Sequence, residues 1–503
     1  MSNNNPRLLR VMKFGGTSVA DATCIGKVIE IVREHSLKSD VVVIVSAMAG
    51  VTNELIEAAK QAQLGNYSAV TAIITSLRKR HEDAVDVLVR VAHEKTQLLQ
   101  VIQELLADCD EVCRGTMLLG ELTPRAQDFV SSLGERLCAP LVATALREQG
   151  IGSEAVDATE LIVTNAYHGA ADPLMEPTRE RCAVRLRALL EKDLVPVVTG
   201  FIGATQECVL TTLGRGGSDY SAAIIGAALP ADDVIIWTDV DGLLSADPRL
   251  VSDAGIIPEI SYREAGELAF FGAKVLHPKT LRVLIDSDIP VWIRNTFSPQ
   301  SSGTKITRSG PEKATAMSAV TSIGEAVLIT LSGYSIAAVP NALAKVLAAT
   351  SAVHVDVLMI AQSSAQNDIS LVVPAARAAD TIEAIRSQLG QELLPEQLEQ
   401  VISDGAVAVV TAVTREARRE PVAAGQLLGK LHQDNIAVLA ISHGAADCKM
   451  SVVVARNDLR RAVLAMHSEL RAGTMLRPPV ALTTSNNPAL WYSGSPHPRA
   501  DAD

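Results

Sequence analysis

Aromatic residues are scarce in this chain, at 3% of 503 positions, so its core must be built from Ala, Val, Leu and Ile. That composition suits buried parallel strands flanked by alanine-rich helices. Runs of positive charge are missing and the formal net charge is −12, which argues against a nucleic-acid groove or an anionic membrane surface as the main partner. The seven cysteines (Cys24, Cys109, Cys113, Cys138, Cys182, Cys208, Cys448) form no C-x-x-C pair and no Cys/His cluster, the usage of reduced core residues in a cytosolic protein. Cys109 and Cys113 stand four apart on an expected helix, but two thiolates alone make a poor zinc site, and no protein metal site is assigned. Ser2-Asn3-Asn4-Asn5 is polar where a secretory leader would be apolar, and no uninterrupted apolar stretch reaches the length of a membrane span. No G-x-G-x-x-G dinucleotide fingerprint occurs. The expectation is a cytoplasmic protein without nucleic-acid or membrane partners.

The length fits two to four domains. Residues 8 to about 305 alternate apolar strand-like runs with amphipathic stretches, as a sheet covered by helices on both faces requires. Strand candidates are Val41 to Val45, Val195 to Val198, Val234 to Thr238 and Val291 to Arg294. Apolar residues spaced by three, four and seven predict a helical lobe at about 55–135. Residues 303 to 313 are polar and rich in Ser, Gly and Thr, so a linker is placed at 306–322.

Two units of one plan follow, at 323–398 and 399–472. The first has strand Ala326 to Leu331, a helix from near Pro340 to Leu347, strands Val353 to Ala361 and Ile369 to Val373, and helix Ile382 to Leu389. The second has strand Val407 to Val413, helix Val422 to Leu431, strands Ile436 to Ile441 and Met450 to Val454, and helix Leu459 to Leu470. This is a ferredoxin-like βαββαβ order. A tail at 473–503 reads as mostly disordered.

Two glycine-rich loops carry the chemistry: Lys13-Phe14-Gly15-Gly16-Thr17-Ser18 and Gly214-Arg215-Gly216-Gly217-Ser218-Asp219-Tyr220. Each follows a strand-like run and precedes a small-residue helix, which puts backbone amides and a helix N-terminus where an anion would sit. Lys13 and Arg215 are cations for phosphate or carboxylate, and Asp219 either holds the lysine or caps a helix. Thr238 and Asp239 end a buried strand, where open α/β sheets place ligands.

These loops, with Trp237-Thr238-Asp239-Val240-Asp241-Gly242, Ser46 to Asn53, Gly134-Glu135, Asp247-Pro248-Arg249 and Phe271 to Pro278, resemble the aspartokinases of the amino acid kinase superfamily over roughly residues 8 to 471. The resemblance implies an amino acid kinase sandwich at 1–305 with a central, mainly parallel sheet, followed by tandem ACT domains that sense an amino acid. The implied activity is ATP-dependent phosphorylation of L-aspartate to 4-phospho-L-aspartate, feeding lysine, threonine and methionine synthesis, with Mg²⁺ arriving on ATP.

The resemblance makes Lys13 and Asp219 the catalytic pair, lets Arg215 clamp the substrate α-carboxylate and Glu135 accept its α-ammonium, and completes the pocket with Thr52, Phe201 and Ser218. Thr52 and Phe201 also read as an ordinary helix cap and a core residue. The nucleotide falls to Gly15, Gly16, Thr17, Ser18, Gly216, Gly217, Thr238, Asp239, Arg249 and Lys274, and to Leu244, where family members frequently have tyrosine. His277 reads as structural, because the aspartate side chain is already ionised at neutral pH and needs no base.

An effector, lysine or threonine, is assigned to Ser335, Ile336, Val339, Asn341, Gln362 and Asp368 of the first unit. In the second unit Thr414 to Glu420 replaces the glycine-rich loop, and charged, bulky residues cannot wrap a small ligand closely. A homodimer or higher homo-oligomer through the ACT domains is expected from their exposed sheet edges. Two alternatives stand beside this reading: a kinase for glutamate or a carbamate-like substrate, and a non-catalytic amino-acid sensor on the same fold.

Overall fold

The computed structural model describes residues 7–271, 276–311, 319–332, 339, 341–362, 368–390, 401–413, 421–443 and 448–475. The amino-terminal part runs β1 (Leu8–Phe14), α1 (Ala22–Ser36), β2 (Ser39–Val45), α2 (Val51–Gln63), α3 (Tyr67–Leu88), α4 (Ala92–Leu119), α5 (Pro124–Glu148), β3 (Ser153–Val156) and α6 (Met175–Leu190). It continues with β4 (Val195–Thr199), β5 (Ile202–Ala204), β6 (Leu210–Thr212), α7 (Gly217–Ala228), β7 (Asp233–Thr238), β8 (Glu259–Ser261), α8 (Tyr262–Phe270), α9 (Pro278–Ser287), β9 (Val291–Asn295) and β10 (Thr304–Thr307). Eight strands form one sheet in the order β3-β4-β2-β1-β7-β9-β10-β8. All its neighbours are parallel except β9 and β10.

Strand alternation decides which helices cover which face. Met12, Phe14, Val41, Val43 and Val45 join the core beneath α1 to α5, whereas Val11, Val42 and Ile44 join the core beneath α6, α7 and α9. Both sets are fully buried, and each such side chain contributes about 1.5–3 kcal/mol relative to exposure. Helix starts follow local capping chemistry. Asp21 accepts from the Cys24 amide at 2.8 Å, Thr123 caps α5 ahead of Pro124, and Ser261 with Glu264 forms a capping box on α8. Helix α5 is long and apolar enough to cross a membrane by length and composition, but 83% of its apolar window is buried inside the protein.

The carboxyl-terminal part contains β11 (Ala319–Ser332), α10 (Ala342–Ala352), β12 (Met359–Gln362), β13 (Asp368–Pro374), α11 (Ala378–Leu389), β14 (Val401–Val413), α12 (Pro421–Gln433), β15 (Val438–Ser442), β16 (Lys449–Ala455) and α13 (Leu459–Met475). Among the described residues each unit supplies the βαββα portion of the expected order. The two units share a single six-stranded sheet, β12-β13-β11-β14-β16-β15. Its centre is the antiparallel pairing of β11 with β14, from Ala319 opposite Val413 to Leu331 opposite Val401.

Several expectations shift. The stretch taken as linker is structured at both ends: β10 occupies Thr304–Thr307, where Ile306 is fully buried opposite Val291, and β11 starts at Ala319. Val353 to Val357 alternates like a strand but forms the turn after α10, with His354 at φ 52°, and β12 begins at Met359. Helix α13 runs on to Met475, past the expected tail boundary. Cys208 is exposed and Cys24 is half-buried, unlike the other five cysteines.

Candidate active site

The cavity forms where β1, β2 and β4 end and α2, α5 and α7 begin or pass. Lys13, the next-to-last residue of β1, lies in register with Ile44 of β2 and Ile236 of β7 and is 8% exposed. Its Nζ is 2.5 Å from Asp219 Oδ1. That oxygen has no hydrogen-bond partner by direction, so the contact is an ion pair rather than an aligned hydrogen bond. Asp219 sits in the first turn of α7, whose N-cap is Gly216, so it holds the lysine and does not cap the helix.

Space is tight at two of these glycines. A Cβ on Gly16 would stand 3.1 Å from the Ala47 carbonyl oxygen, and one on Gly217 would stand 2.6 Å from the Phe201 ring. Phe201 itself holds φ 69°, a left-handed conformation that a bulky residue rarely adopts and that recurs at ligand sites.

Together these elements enclose a cavity of about 550 Å³. That is within the usual range for small-molecule sites, about 300–1,000 Å³. Ten of the expected residues line it: Lys13, Gly16, Thr52, Glu135, Phe201, Arg215, Gly216, Gly217, Ser218 and Asp219. Thr52 lies inside the first turn of α2, whose N-cap is Gly50. Glu135 projects from α5 and is 4% exposed, and its Oε2 has no hydrogen-bond partner. Burial pushes its carboxyl up to about 8, against the pull of the Ala47 amide and the Lys13 charge. A buried acid with one oxygen free, in a cavity that a lysine and an arginine also line, is the electrostatic complement of an α-amino acid.

The remaining expected residues that the structure describes stand outside the cavity. Gly15 is buried behind it and donates its N–H to the Trp237 carbonyl at 3.2 Å. Thr17 is exposed on the loop. Ser18 departs from its assignment to the nucleotide: it is fully buried, and its hydroxyl turns inward to Thr296 Oγ1 at 2.7 Å and the Trp237 carbonyl at 3.4 Å. Thr238 ends β7, Asp239 follows it, and the Thr238 hydroxyl donates to Asp239 Oδ1 at 3.1 Å. Leu244 is half-buried and bridges to Ile256. Arg249 is 87% exposed and already paired with Asp247 at 2.6 Å. Lys274 lies outside the described residues. His277 caps α9, accepting from the Lys279 amide at 3.3 Å.

Sequence reasoning named the stretches containing Ser46, Ala47 and Asn53 but missed Gln127, Asp128, Ser131, Gly169 and Thr212, which also line the cavity. Asp128 and Gln127 lie two turns before Glu135 on α5, the spacing that could have signalled a shared helix face.

Behind Leu244, the loop packs on the carboxyl-terminal half. The Val320 amide donates to the Ser245 carbonyl at 2.8 Å, and Ser245 Oγ meets His467 Nε2 of α13 at 3.0 Å. Ala246 and Val251 are buried in one cluster with residues of β14, β16, α12 and α13. Nearby, Lys449 pairs with Glu267 at 2.7 Å. Of the expected effector residues, Val339 is buried, Asn341 is exposed with φ 57° at the start of α10, and Gln362 and Asp368 are exposed at one end of the sheet. Ser335 and Ile336 lie outside the described residues.

The amino acid kinase family matches residues 9–295, and the ACT domain matches 329–389 and 410–470. The chain is 32% identical over 467 residues to the chloroplastic bifunctional aspartokinase/homoserine dehydrogenase of Daucus carota, covering 91% of this chain and 50% of that one. It is 30% identical over 482 residues to chloroplastic aspartokinase 3 of Arabidopsis thaliana, covering 93% and 82%. Solved structures of E. coli aspartokinase III superpose with TM-scores of 0.76 for its complex with aspartate and ADP (R-state) and 0.75 for its complex with lysine and aspartate (T-state). Both are 28% identical and cover 92% of this chain, and 100% and 99% of theirs. The chain spans about half the length of the bifunctional relatives. The chain belongs to the amino acid kinase family, and within it to the aspartokinases.

Proposed function

We propose that this chain transfers the γ-phosphoryl group of ATP to the side-chain carboxylate of L-aspartate, giving 4-phospho-L-aspartate and ADP at the head of lysine, threonine and methionine synthesis. The observation that carries the reading is the one cavity lined by the Lys13–Asp219 ion pair, Arg215 and Glu135, whose Oε2 has no hydrogen-bond partner. Glu135 receives the α-ammonium and Arg215 the α-carboxylate, which leaves the side-chain carboxylate to point toward Lys13. That carboxylate is ionised at neutral pH and attacks phosphorus without a base. One P–O bond forms to it as the bond to the ADP oxygen breaks. Lys13, oriented by Asp219, neutralises charge on the transferred group, and the amides at the start of α7 add to it.

Thr238, Asp239, Leu244, Arg249 and Lys274 are assigned to the nucleotide, with the glycine loops at its phosphates. Mg²⁺ supplies charge neutralisation to the phosphates when bound. The ion is assigned to ATP, on which it keeps most of its water shell. The lysine complex of E. coli aspartokinase III supports an amino-acid effector; its place is assigned to the first ACT unit, with Val339, Asn341, Gln362 and Asp368.

The test is ATP turnover with L-aspartate, trapping the acyl phosphate as a hydroxamate, with lysine and threonine in separate arms. Aspartate-dependent hydroxamate that disappears in Lys13→Ala supports the reading. ATP and aspartate binding without turnover would replace it with the sensor.

A further inference from the structure

The cavity has two walls on its amino-acid side. One is the face of α5 that carries Gln127, Ser131 and Glu135, and the other is the β5–β6 hairpin with the loop around Gly169, leading into Gly214 and Arg215. One buried side chain joins them. Asp128, 2% exposed, accepts from Thr212 Oγ1 at 2.6 Å, from the Thr212 amide at 3.3 Å, from the Gly169 amide at 3.1 Å and from His168 Nδ1 at 2.7 Å. Both carboxylate oxygens are used, and every donor lies on the opposite wall. Gly214 in turn rests on that loop, since a Cβ there would stand 3.0 Å from the Gly169 carbonyl oxygen.

Asp128 and Glu135 are seven residues apart on one helix, which places them about 10 Å apart along its axis at 1.5 Å per residue. Thr212 and Arg215 are three residues apart across the Gly214 turn. The carboxylate of Asp128 therefore fixes the hairpin, and the hairpin carries the guanidinium that must stand opposite Glu135. We infer that Asp128 is a positioning residue that sets the spacing between the α-carboxylate clamp, Arg215, and the α-ammonium acceptor, Glu135, and so determines selection of the amino-acid substrate. This inference rests on the kinase reading above. A carboxylate accepting several directed hydrogen bonds is a rigid tie, and an amide in its place accepts through one atom only and turns its other atom, a donor, toward donors.

The prediction separates the two substrates. Asp128→Asn raises KM for L-aspartate at least tenfold while KM for ATP stays within twofold, and Asp128→Glu restores part of the loss. Thr212→Val, a milder cut in the same tie, raises the aspartate KM in the same direction. Combined with Asp128→Asn it adds less than the product of the single effects, because both break one contact. Melting temperatures recorded in parallel identify any variant that fails to fold, and Thr212→Val then carries the test.

An unchanged aspartate KM in a folded Asp128→Asn or Thr212→Val, or an equal rise in both KM values, overturns the inference. The wild-type arm judges the kinase reading separately. Should wild type form no hydroxamate, that reading falls, and calorimetric titration of L-aspartate into wild type and the variants decides the tie by the same tenfold criterion.

Discussion

The amino-acid side and the nucleotide side of the proposed site are built differently. On the first, Lys13 and Glu135 are buried and Asp219 is half-buried around the cavity, Arg215 alone of the charged groups is exposed, and one Glu135 oxygen is left without a hydrogen-bond partner. On the second, Asp239 and Arg249 are exposed, Arg249 is already paired, and the loop is anchored from behind by Val320 and His467 of the other half. A preformed, strained pocket makes selection a matter of fixed geometry. A surface loop tied to another unit makes affinity adjustable from a distance, because whatever moves the anchor moves the loop.

The sharpest way to test the first half of this contrast is Lys13→Ala. It should lower kcat by roughly 100- to 1,000-fold, the cost of removing one preorganised charge-stabilising group, measured as hydroxamate formation at saturating substrates. Next in size is Glu135→Gln, which should raise the aspartate KM about 30-fold or more and leave ATP binding intact.

The same variant carries a stability signature. The folded carboxyl of Glu135 stands at about 8, above its ordinary 4.5, so between these values the folded chain keeps a proton that the unfolded chain has lost. The contribution of Glu135 to stability is full below 4.5 and is lost as pH rises through 8. Glu135→Gln should therefore melt higher than wild type at pH 8 and equally at pH 4, by scanning calorimetry. Aspartate binding to wild type near pH 7 should release protons, detected as a dependence of binding heat on buffer ionisation.

For the second half of the contrast, Ser245→Ala removes the hydroxyl that meets His467 Nε2 at 3.0 Å and accepts from the Gly255 amide at 3.0 Å behind the nucleotide loop. It should raise the ATP KM about 2- to 10-fold with the aspartate KM unchanged, in steady-state kinetics. A matching change in aspartate KM would break the contrast. The smallest effect is expected from Arg249→Ala, no more than about threefold on the ATP KM, since its charge is exposed and must leave Asp247 to reach phosphate.

Local patterns carried most of what was legible in the sequence. The two glycine loops and the strands around them announce themselves within a few residues, because backbone room and apolar alternation are short-range signals. Asp128 could not be read this way: its partners lie 40, 41 and 84 residues further along the chain, and nothing near it in sequence marks a charge that folding will bury. Ser18 misled for the opposite reason. A serine after Gly-Gly-Thr looks like a phosphate contact, but the turn points it inward to Thr296. β10 was hidden in a polar stretch because its single deeply apolar residue, Ile306, shows its value only against Val291 and Ile260.

The pairing of β11 with β14 also constrains how these units can be taken apart. Ends of both strands reach across from one unit into the other, from Ala319 opposite Val413 to Leu331 opposite Val401. Cutting the chain between the units would strip a partner from the middle of the sheet and leave a long, apolar row of open amides and carbonyls, the surface on which chains aggregate. The pair is therefore a single cassette for recombination: a chimaera should exchange both halves at once, with its seams before β11 and after α13.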